Sequence, residues 1–513
     1  MGDKRIIDLD NSATVSDSDY LAIDNSTTGT HKLAAKVILD KIAAKGGALN
    51  YDTSTSMLQL LDQAGGSVLS QVEIQGGGGG GGTTYTINVS TTETTLYGET
   101  VTATYGASSK TATFSNSGAA TITINDYTGD VTLSASDGTD TATATVSIVS
   151  GTTSYSATLA FAQIYGISWD GSSSSAWTRT DAAELFSDPV PAVSNGNGSS
   201  PFDNILPWSG MEKVTDASAG VLVKIPKYYY KWTKTGSAMT LQISAKQFSG
   251  SHVSPAHADR GDGHGERDYV YVGRYHCGAS DYKSATGVAP KVSVTRDAAR
   301  TAIKALGTGI YQYDFAMYWT IMMLYLVEYA DWNSQAKIGY GCAPTGSTSA
   351  VRNMGYTDAM VYHTGTDQAS RTTYGGTQYR YIEGLWDNCF DWCDGIYFSG
   401  ADVLIINTPN NFSDTTGGTK VGERATTSND IKSFFVPSAS GLEWALYPND
   451  VVSDSNYETY VCDHCDYNAS GVVLFVGGNY SQGQYRGAFY LYGSVQASYS
   501  YANIGARLQK LPN

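Results

Sequence analysis

From residue 83 to about 150 the chain alternates β-branched or aromatic residues with small polar ones, through segments 84–89, 101–105, 110–114, 120–124, 131–135 and 141–148. A period of two is the mark of strands with one buried face. Ser117-Gly118, Thr128-Gly129 and Asp137-Gly138 supply turns between them. Short strands at this spacing predict an all-β immunoglobulin-like sandwich over 83–150. The segment contains no Cys or His, so its predicted role is that of a spacer.

Upstream, Ile7, Leu9, Val15, Leu21 and Ile23 alternate with Asp8, Asp10, Ser16, Asp17 and Asp19, which predicts short strands or extended segments. Thr30 then precedes Ala34, Val37, Ile38 and Ile42 at helical spacing, and Gly46-Gly47 follows, so a helix is predicted there. A single apolar stripe this short needs partners in water. Residues 1–75 therefore read as an attachment and oligomerisation segment, with a trimer preferred and packing within its own domain as the alternative. The glycine run 76–82 reads as a linker, or as a close-packed element on a threefold axis.

From about residue 155 onward Trp, Tyr and Gly become dense. Ala299, Ala302, Ile303 and Leu306 form one stripe that stops at Gly307, predicting a helix over 297–306. Asp314 opens a second helix over 315–329, apolar nearly all round and therefore buried. After Cys342 the pattern is of loops and short strands. Residues 155–513 thus predict one large α+β domain, the third part of a multidomain chain.

Composition sharpens this picture. Charged residues make up only 16% of the chain, while 56 Gly and 37 Tyr are in excess, as in turn-rich β architecture. The net charge of −16 opposes binding to nucleic acid or to an anionic membrane surface, since both need basic patches. The basic cluster 224–231, interleaved with Tyr228, Tyr229 and Tyr230, reads as a strand with polar residues facing water. The apolar stretch 315–327 is shorter than the ~20 residues of a membrane span, so no membrane insertion is expected. Six unevenly spaced cysteines do not make a disulfide scaffold. The opening MGDKRIIDLDNS lacks the apolar core of a signal peptide, and assembly in a reducing cytoplasm is the expectation.

Catalytic chemistry finds little support. His257, Asp259, Asp262, His264, Glu266 and Asp268 crowd one Gly-rich stretch, but their spacing fits no metal motif, and a solvated loop is expected. The enclosed triplet Arg260-Gly261-Asp262 resembles an integrin-binding tripeptide at a frequency close to chance. Asp387, Asp391 and Asp394 would share a face if helical, and could then serve acid–base chemistry or calcium; a structural loop with carboxylates capping amides is the preferred reading. Cys389 and Cys393 with Cys462 and Cys465 make a weak zinc candidate. No phosphate loop, nucleophile elbow or zincin motif is present. No catalytic residue, metal or cofactor is assigned.

The strongest signal lies at 457–508. Tyr457, Tyr460, Tyr467, Tyr480, Tyr485, Tyr490, Tyr492, Tyr499 and Tyr501 are set among Asp, Asn, Ser, His and Gly, with only 472–476, 487–489 and 504–508 resembling core. Tyrosine among small polar residues is the chemistry of antibody binding loops: a broad amphipathic contact at low entropy cost.

The frame Leu474-Phe475-Val476-Gly477-Gly478, Gly487-Ala488-Phe489-Tyr490 and Asn503-Ile504-Gly505-Ala506-Arg507-Leu508 resembles the end of C-type-lectin-fold target proteins of diversity-generating retroelements. Upstream, 165–171, Ala176-Trp177-Thr178-Arg179, Gly384-Leu385-Trp386-Asp387, Asp391-Trp392 and Asp394-Gly395 resemble the same lectin-like domains, and 19–24 with 32–34 is similar to the openings of phage tail proteins. The resemblance implies a C-type-lectin-like domain in which mutagenesis at adenines rewrites positions between fixed frame segments. Asparagine codons of the AAC type then yield Tyr, Asp, His, Ser, Gly or Cys, but not Trp, Lys or Glu. It marks Asp463, His464, Asp466, Tyr467, Asn479, Tyr480, Ser481, Tyr485, Tyr492, Tyr499, Ser500 and Tyr501 as variable, ligand-contacting positions, while Gln482, Gln484 and Gln496 depart from that codon rule. Calcium-ligand triplets of sugar-binding lectins are missing, so binding without calcium is implied.

The expected function is a virion adhesin: a tail-fibre or tail-tip protein that joins other virion tail proteins, forms a homotrimer and binds a bacterial surface receptor, protein or glycan. A bacterial surface or secreted adhesin is the runner-up, and an enzyme of the formylglycine-generating or glycan-cleaving kind is third.

Overall fold

In a computed structural model the chain divides into two compact units, Met1–Gln163 and Ile164–Asn513. The structure describes residues 164–513 other than 249, 342–349, 454–459, 483–485 and 513, together with the strand backbones within 20–162. Both units are β-rich with few helices among the described residues, a multi-sheet, multidomain architecture.

The first unit is built from antiparallel pairs. Tyr20–Ile23 pairs with His31–Ala34, with Leu21 in register with Leu33. The helix expected after Thr30 therefore does not begin there. A nascent helix of a few residues gains little, because its first turn fixes several dihedrals for one hydrogen bond, whereas a hairpin finds its pairing at once. The remainder of that expected helix and the glycine run 76–82 lie outside the described residues. Leu49–Asp52, Met57–Leu61 and Val68–Glu73 form a three-stranded meander. Tyr85–Thr86, Thr100–Tyr105 and Ser108–Thr113 form a second three-stranded sheet. Thr121–Asp126, Gly129–Asp137, Thr141–Ser150 and Thr153–Ala162 form a four-stranded one. Each alternating segment of 83–150 thus contains strand residues, and one more strand, 153–162, extends the four-stranded sheet past residue 150. The second unit begins at Ile164.

In the second unit the helix Phe315–Tyr329 is the centre of the core. The Asp314 side chain accepts from Met317 N at 2.8 Å and caps it, and all fifteen helical residues are buried. Rings crowd around it: Trp319 meets Trp232, Phe434 and Phe489, and Trp332 packs edge-on to Phe489 at 4.8 Å. The amphipathic helix Arg296–Lys304 is capped by Thr295, carries Asp297 in its first turn and Lys304 in its last, and buries Ala299 and Ile303. Both helices follow the sequence pattern closely.

Around this centre lie five sheets. A seven-stranded one runs in the order Tyr447–Val452, Asn429–Phe435, His464–Tyr467, Leu491–Val495, Val473–Val476, Phe390–Cys393, Ile504–Gly505. A five-stranded one holds Leu508–Lys510 between Tyr269–Gly273 and Ile310–Gln312. The frame segments 473–476 and 504–508 meet in these sheets. Asp391 is in register with Val476 on one side and Gly505 on the other. Gly477 has φ +75°, and a Cβ there would stand 2.2 Å from Leu385 O; one at Gly478 would stand 2.5 Å from Trp386 O. Only glycine lets the end of Val473–Val476 close onto 385–386.

The carboxylates of 387–394 hold this junction together. Phe390–Cys393 is a strand, so the shared helical face considered for Asp387, Asp391 and Asp394 does not exist. Asp391 accepts from Arg507 Nε at 2.8 Å and lies 2.8 Å from His276 Nδ1, all three buried; the charge of Arg507 holds its carboxyl below the usual range despite burial. Asp387 accepts from Thr377 N at 2.7 Å and from the Tyr356 hydroxyl. Asp394 accepts from Arg300 Nε at 2.6 Å and from Gly395 N at 3.0 Å. Asp387 and Asp394 thus accept from backbone amides, whereas Asp391 lies on a strand and pairs with side chains instead.

Candidate functional site

Several tyrosines gather on and around the strand Leu491–Val495 of the seven-stranded sheet. Tyr492, on Leu491–Val495, stacks on Phe475 of the neighbouring strand at 4.4 Å with planes 13° apart. Tyr490 meets Tyr492 edge to face at 6.0 Å, and its hydroxyl donates to Asp466 Oδ2 at 2.5 Å. The Arg486 guanidinium lies over the Tyr490 ring at 4.4 Å. His464 Nδ1 lies 3.0 Å from Asp430 Oδ1, which sets the orientation of the imidazole.

Beyond Tyr492 a turn closes by Tyr499 N donating to Gln496 O at 3.0 Å. Tyr501 O accepts from Ser293 N and Ile504 N, which anchors the far end of the loop to the frame. Between these anchors Tyr499 and Tyr501 are 41% and 59% exposed, and their rings lie parallel, 6.2 Å apart and 8° from coplanar. Partial burial, then the nearby Tyr492 and Tyr501 hydroxyls, raise the Tyr499 phenol above its ordinary pKa; burial and Tyr501 do the same for Tyr480. Tyr499 and Tyr501 thus lie side by side on this loop, whereas Tyr480 is nearly buried.

The candidate positions divide into three groups. Tyr499, Ser500, Tyr501 and Ser481 are exposed, and His464, Asp466, Tyr467 and Tyr492 are half-buried on Leu491–Val495 or the neighbouring His464–Tyr467. Tyr480 is only 8% exposed, and Tyr485 lies outside the described residues. Two further candidates are buried. Asp463 is buried and accepts from Gly487 N at 2.7 Å and Phe489 N at 2.8 Å. Asn479 is buried and accepts from Ser481 N at 2.7 Å. Both shape backbone rather than meet a ligand: a short polar side chain beside a turn finds its nearest donors in the main chain. Tyr490 and Tyr480, counted among the surface rings by composition, are likewise mostly interior. Sequence reasoning missed Asp430 and Arg486, whose part depends on strand neighbours remote in sequence. It also missed Arg424, which lies under the Tyr467 ring at 4.7 Å while donating to Gly493 O at 2.6 Å.

The other candidate chemistry is dispersed. His257 is buried, with Nδ1 2.6 Å from Ser254 Oγ and Nε2 2.9 Å from Ile225 O. Arg260 is buried and donates to Asp314 at 2.8 Å, so Arg260-Gly261-Asp262 is not a surface tripeptide. Asp262 accepts from Arg267 and Asp268 from Lys227. Lys224 pairs with Glu212, and the basic stretch 224–231 spans the end of Gly220–Pro226, the two residues after it and the start of Tyr229–Thr235, with Tyr228 and Tyr230 buried. Cys277, Cys389, Cys393, Cys462 and Cys465 are buried free thiols; burial pushes each up, Cys465 to about 12. Among the described residues no group of three or more His, Cys, Asp or Glu is placed to hold a metal. Among them also, no helix is long and apolar enough to cross a membrane.

No family model matches this chain, and no curated protein matches it.

Proposed function

We propose that this chain is a receptor-binding adhesin of a bacteriophage tail fibre or tail tip, in which the surface around Tyr499 and Tyr501 contacts the host. In this reading residues 1–75 attach to other virion tail proteins and trimerise. The two small sheets of 85–162 form an immunoglobulin-like spacer, and 164–513 is a C-type-lectin-like head. The head binds without catalysis and without a cofactor. Its receptor is a bacterial surface protein or glycan, and the tyrosine face is the product of retroelement-driven diversification.

One observation carries the reading: Tyr499 and Tyr501 stand exposed and parallel on a loop whose two ends are tied into the sheet. Large rings held at low entropy cost are what a binding surface needs, and a core would have no use for their hydroxyls. The buried, raised thiols argue against cysteine nucleophiles among the described residues. Several copies on one fibre would convert weak contacts into firm attachment.

Adsorption of the purified chain to host cells tests it. Tyr499→Ala with Tyr501→Ala should weaken adsorption about tenfold or more, as truncating two aromatic hot spots does, while the melting temperature stays unchanged. Undiminished adsorption of a folded double variant rejects the assignment. For diversification, the neighbouring DNA should hold a reverse-transcriptase gene and a near-copy of the 3′ coding segment differing at adenines.

A further inference from the structure

The loop of Tyr499 and Tyr501 and that of Tyr480 are tied down from elsewhere in the chain by residues in an uncommon conformation. Ser293 has φ +55° and Asn388 φ +60°, both in the left-handed region. Residues other than glycine seldom occupy it, asparagine more readily than serine. Ser293 N donates to Tyr501 O at 3.0 Å, and Asn388 O accepts from Tyr480 N at 3.1 Å. Two residues past Asn388, Phe390 N donates to Asn503 O at 2.9 Å, so the segment 388–390 holds both loops.

The surroundings impose the turn at Ser293. On one side Val292 bridges to Gly505, and Lys291 N donates to Cys277 O at 2.6 Å. On the other, Val294 O accepts from Trp392 Nε1 at 2.8 Å, and Thr295 caps the helix Arg296–Lys304. Ser293 itself is exposed, so packing does not account for its place there. Left-handed residues other than glycine persist only where neighbours over-determine them, and they concentrate at functional sites. The ties end on main-chain atoms of the tyrosine loops, which leaves the Tyr499 and Tyr501 rings unencumbered.

We infer, resting on the adhesin reading above, that Ser293 is a positioning residue for the receptor-contacting loop 496–503, its left-handed backbone aiming an N–H at Tyr501 O. Rings on a held loop lose little freedom when they bind. A loop that spends only about a tenth of its time in the binding conformation would bind about tenfold more weakly.

Two readouts on the folded full chain test this. Chymotrypsin cleavage after Tyr499 and Tyr501, mapped by mass spectrometry, follows opening of the loop, and adsorption to host cells follows its use. Ser293→Val, whose branched side chain opposes a left-handed backbone, should raise cleavage and lower adsorption by about tenfold each, with the melting temperature little changed. Ser293→Gly accepts the same backbone without strain and should keep both at the parent level. A residue that served only the fold would lower the melting temperature and leave adsorption of the folded fraction intact. If Ser293→Val does not fold, Ser293→Ala strains the backbone less and should shift both readouts in the same directions. Unchanged cleavage in the folded variant overturns the proposal, and so does Ser293→Gly behaving like Ser293→Val. Adsorption that survives a loosened loop, while Tyr499→Ala with Tyr501→Ala abolishes it, overturns the proposal too. If neither the loosened loop nor the tyrosine pair affects adsorption, the adhesin reading fails and the hold of Ser293 on the loop stands.

Discussion

Glu328 and Arg380 form a two-point ion pair in the interior: Arg380 Nη2 donates to Glu328 Oε1 at 2.6 Å and Nε donates to Oε2 at 2.8 Å. Both side chains are buried, Tyr379 donates to the same carboxylate at 2.9 Å, and Arg380 Nη1 reaches Trp208 O. The pair ties the end of the apolar helix to the strand segment at 377–379. Arg380→Ala should cost about 3–5 kcal/mol, because it strands a buried carboxylate. Arg380→Lys should recover only part of this, since an ammonium cannot match the two-point geometry. All nine tryptophans lie in the second unit, so denaturant unfolding followed by their fluorescence reads that unit directly.

Asp463 should make stability fall as pH rises towards neutrality. Burial lifts its carboxyl to about 7, against the lowering effect of Gly487 N, Phe489 N and Arg486. A folded-state value above the unfolded ~3.9 means that the contribution is complete below ~3.9 and is lost as pH rises to about 7. The slope is at most ~1.4 kcal/mol per pH unit. Asp463→Asn cannot ionise, so parent and variant should diverge between pH 4 and 7 and run parallel above. Parallel curves throughout would count against the buried, raised carboxyl.

His257 should stay neutral far into acid. Burial lowers its imidazole to about 4, outweighing the bond to Ile225 O. Its contribution is present above the unfolded ~6.5 and is lost as pH falls through about 4, opposite in sign to that of Asp463. A histidine NMR titration should show one imidazole that does not protonate until pH nears 4.

Gly478→Ala should destabilise the second unit by about 1–3 kcal/mol, because the added carbon meets the backbone oxygens of both Trp386 and Arg486 at 2.5 Å. Gly477→Ala should cost at least as much, adding a left-handed φ to a closer clash. By contrast Gly417, also left-handed but with open space around it, should lose less on the same change. Melting temperatures of the three variants give the comparison.

Where the chain's own local pattern decides the outcome, the sequence was readable. Asp314 before a fifteen-residue run that is apolar but for Thr320 and Glu328 marks a buried helix, and the strands of 100–150 follow their period of two. The frame segments 473–476, 488–489 and 504–508 are interior as their composition indicates. Where the outcome depends on a partner far along the chain, it was not. Asp463 and Asp466 look alike in sequence, yet one is enclosed by the 487–489 turn and the other sits half-exposed beside Tyr490. The Asp391–Arg507 pair joins residues whose proximity only sheet order creates. The segment 31–34 misled for the opposite reason: four residues carry too little periodicity to separate a helical turn from a hairpin strand.

The burial of the helix Phe315–Tyr329 has a consequence during synthesis. Its cover includes Phe434, Trp444, Leu446 and Phe489, all of which leave the ribosome after it. Until they arrive, a wholly greasy segment with one carboxylate is left without shelter on the nascent chain. Production of this protein should therefore depend on a holdase or on slow translation, and rapid overexpression should drive it into inclusion bodies.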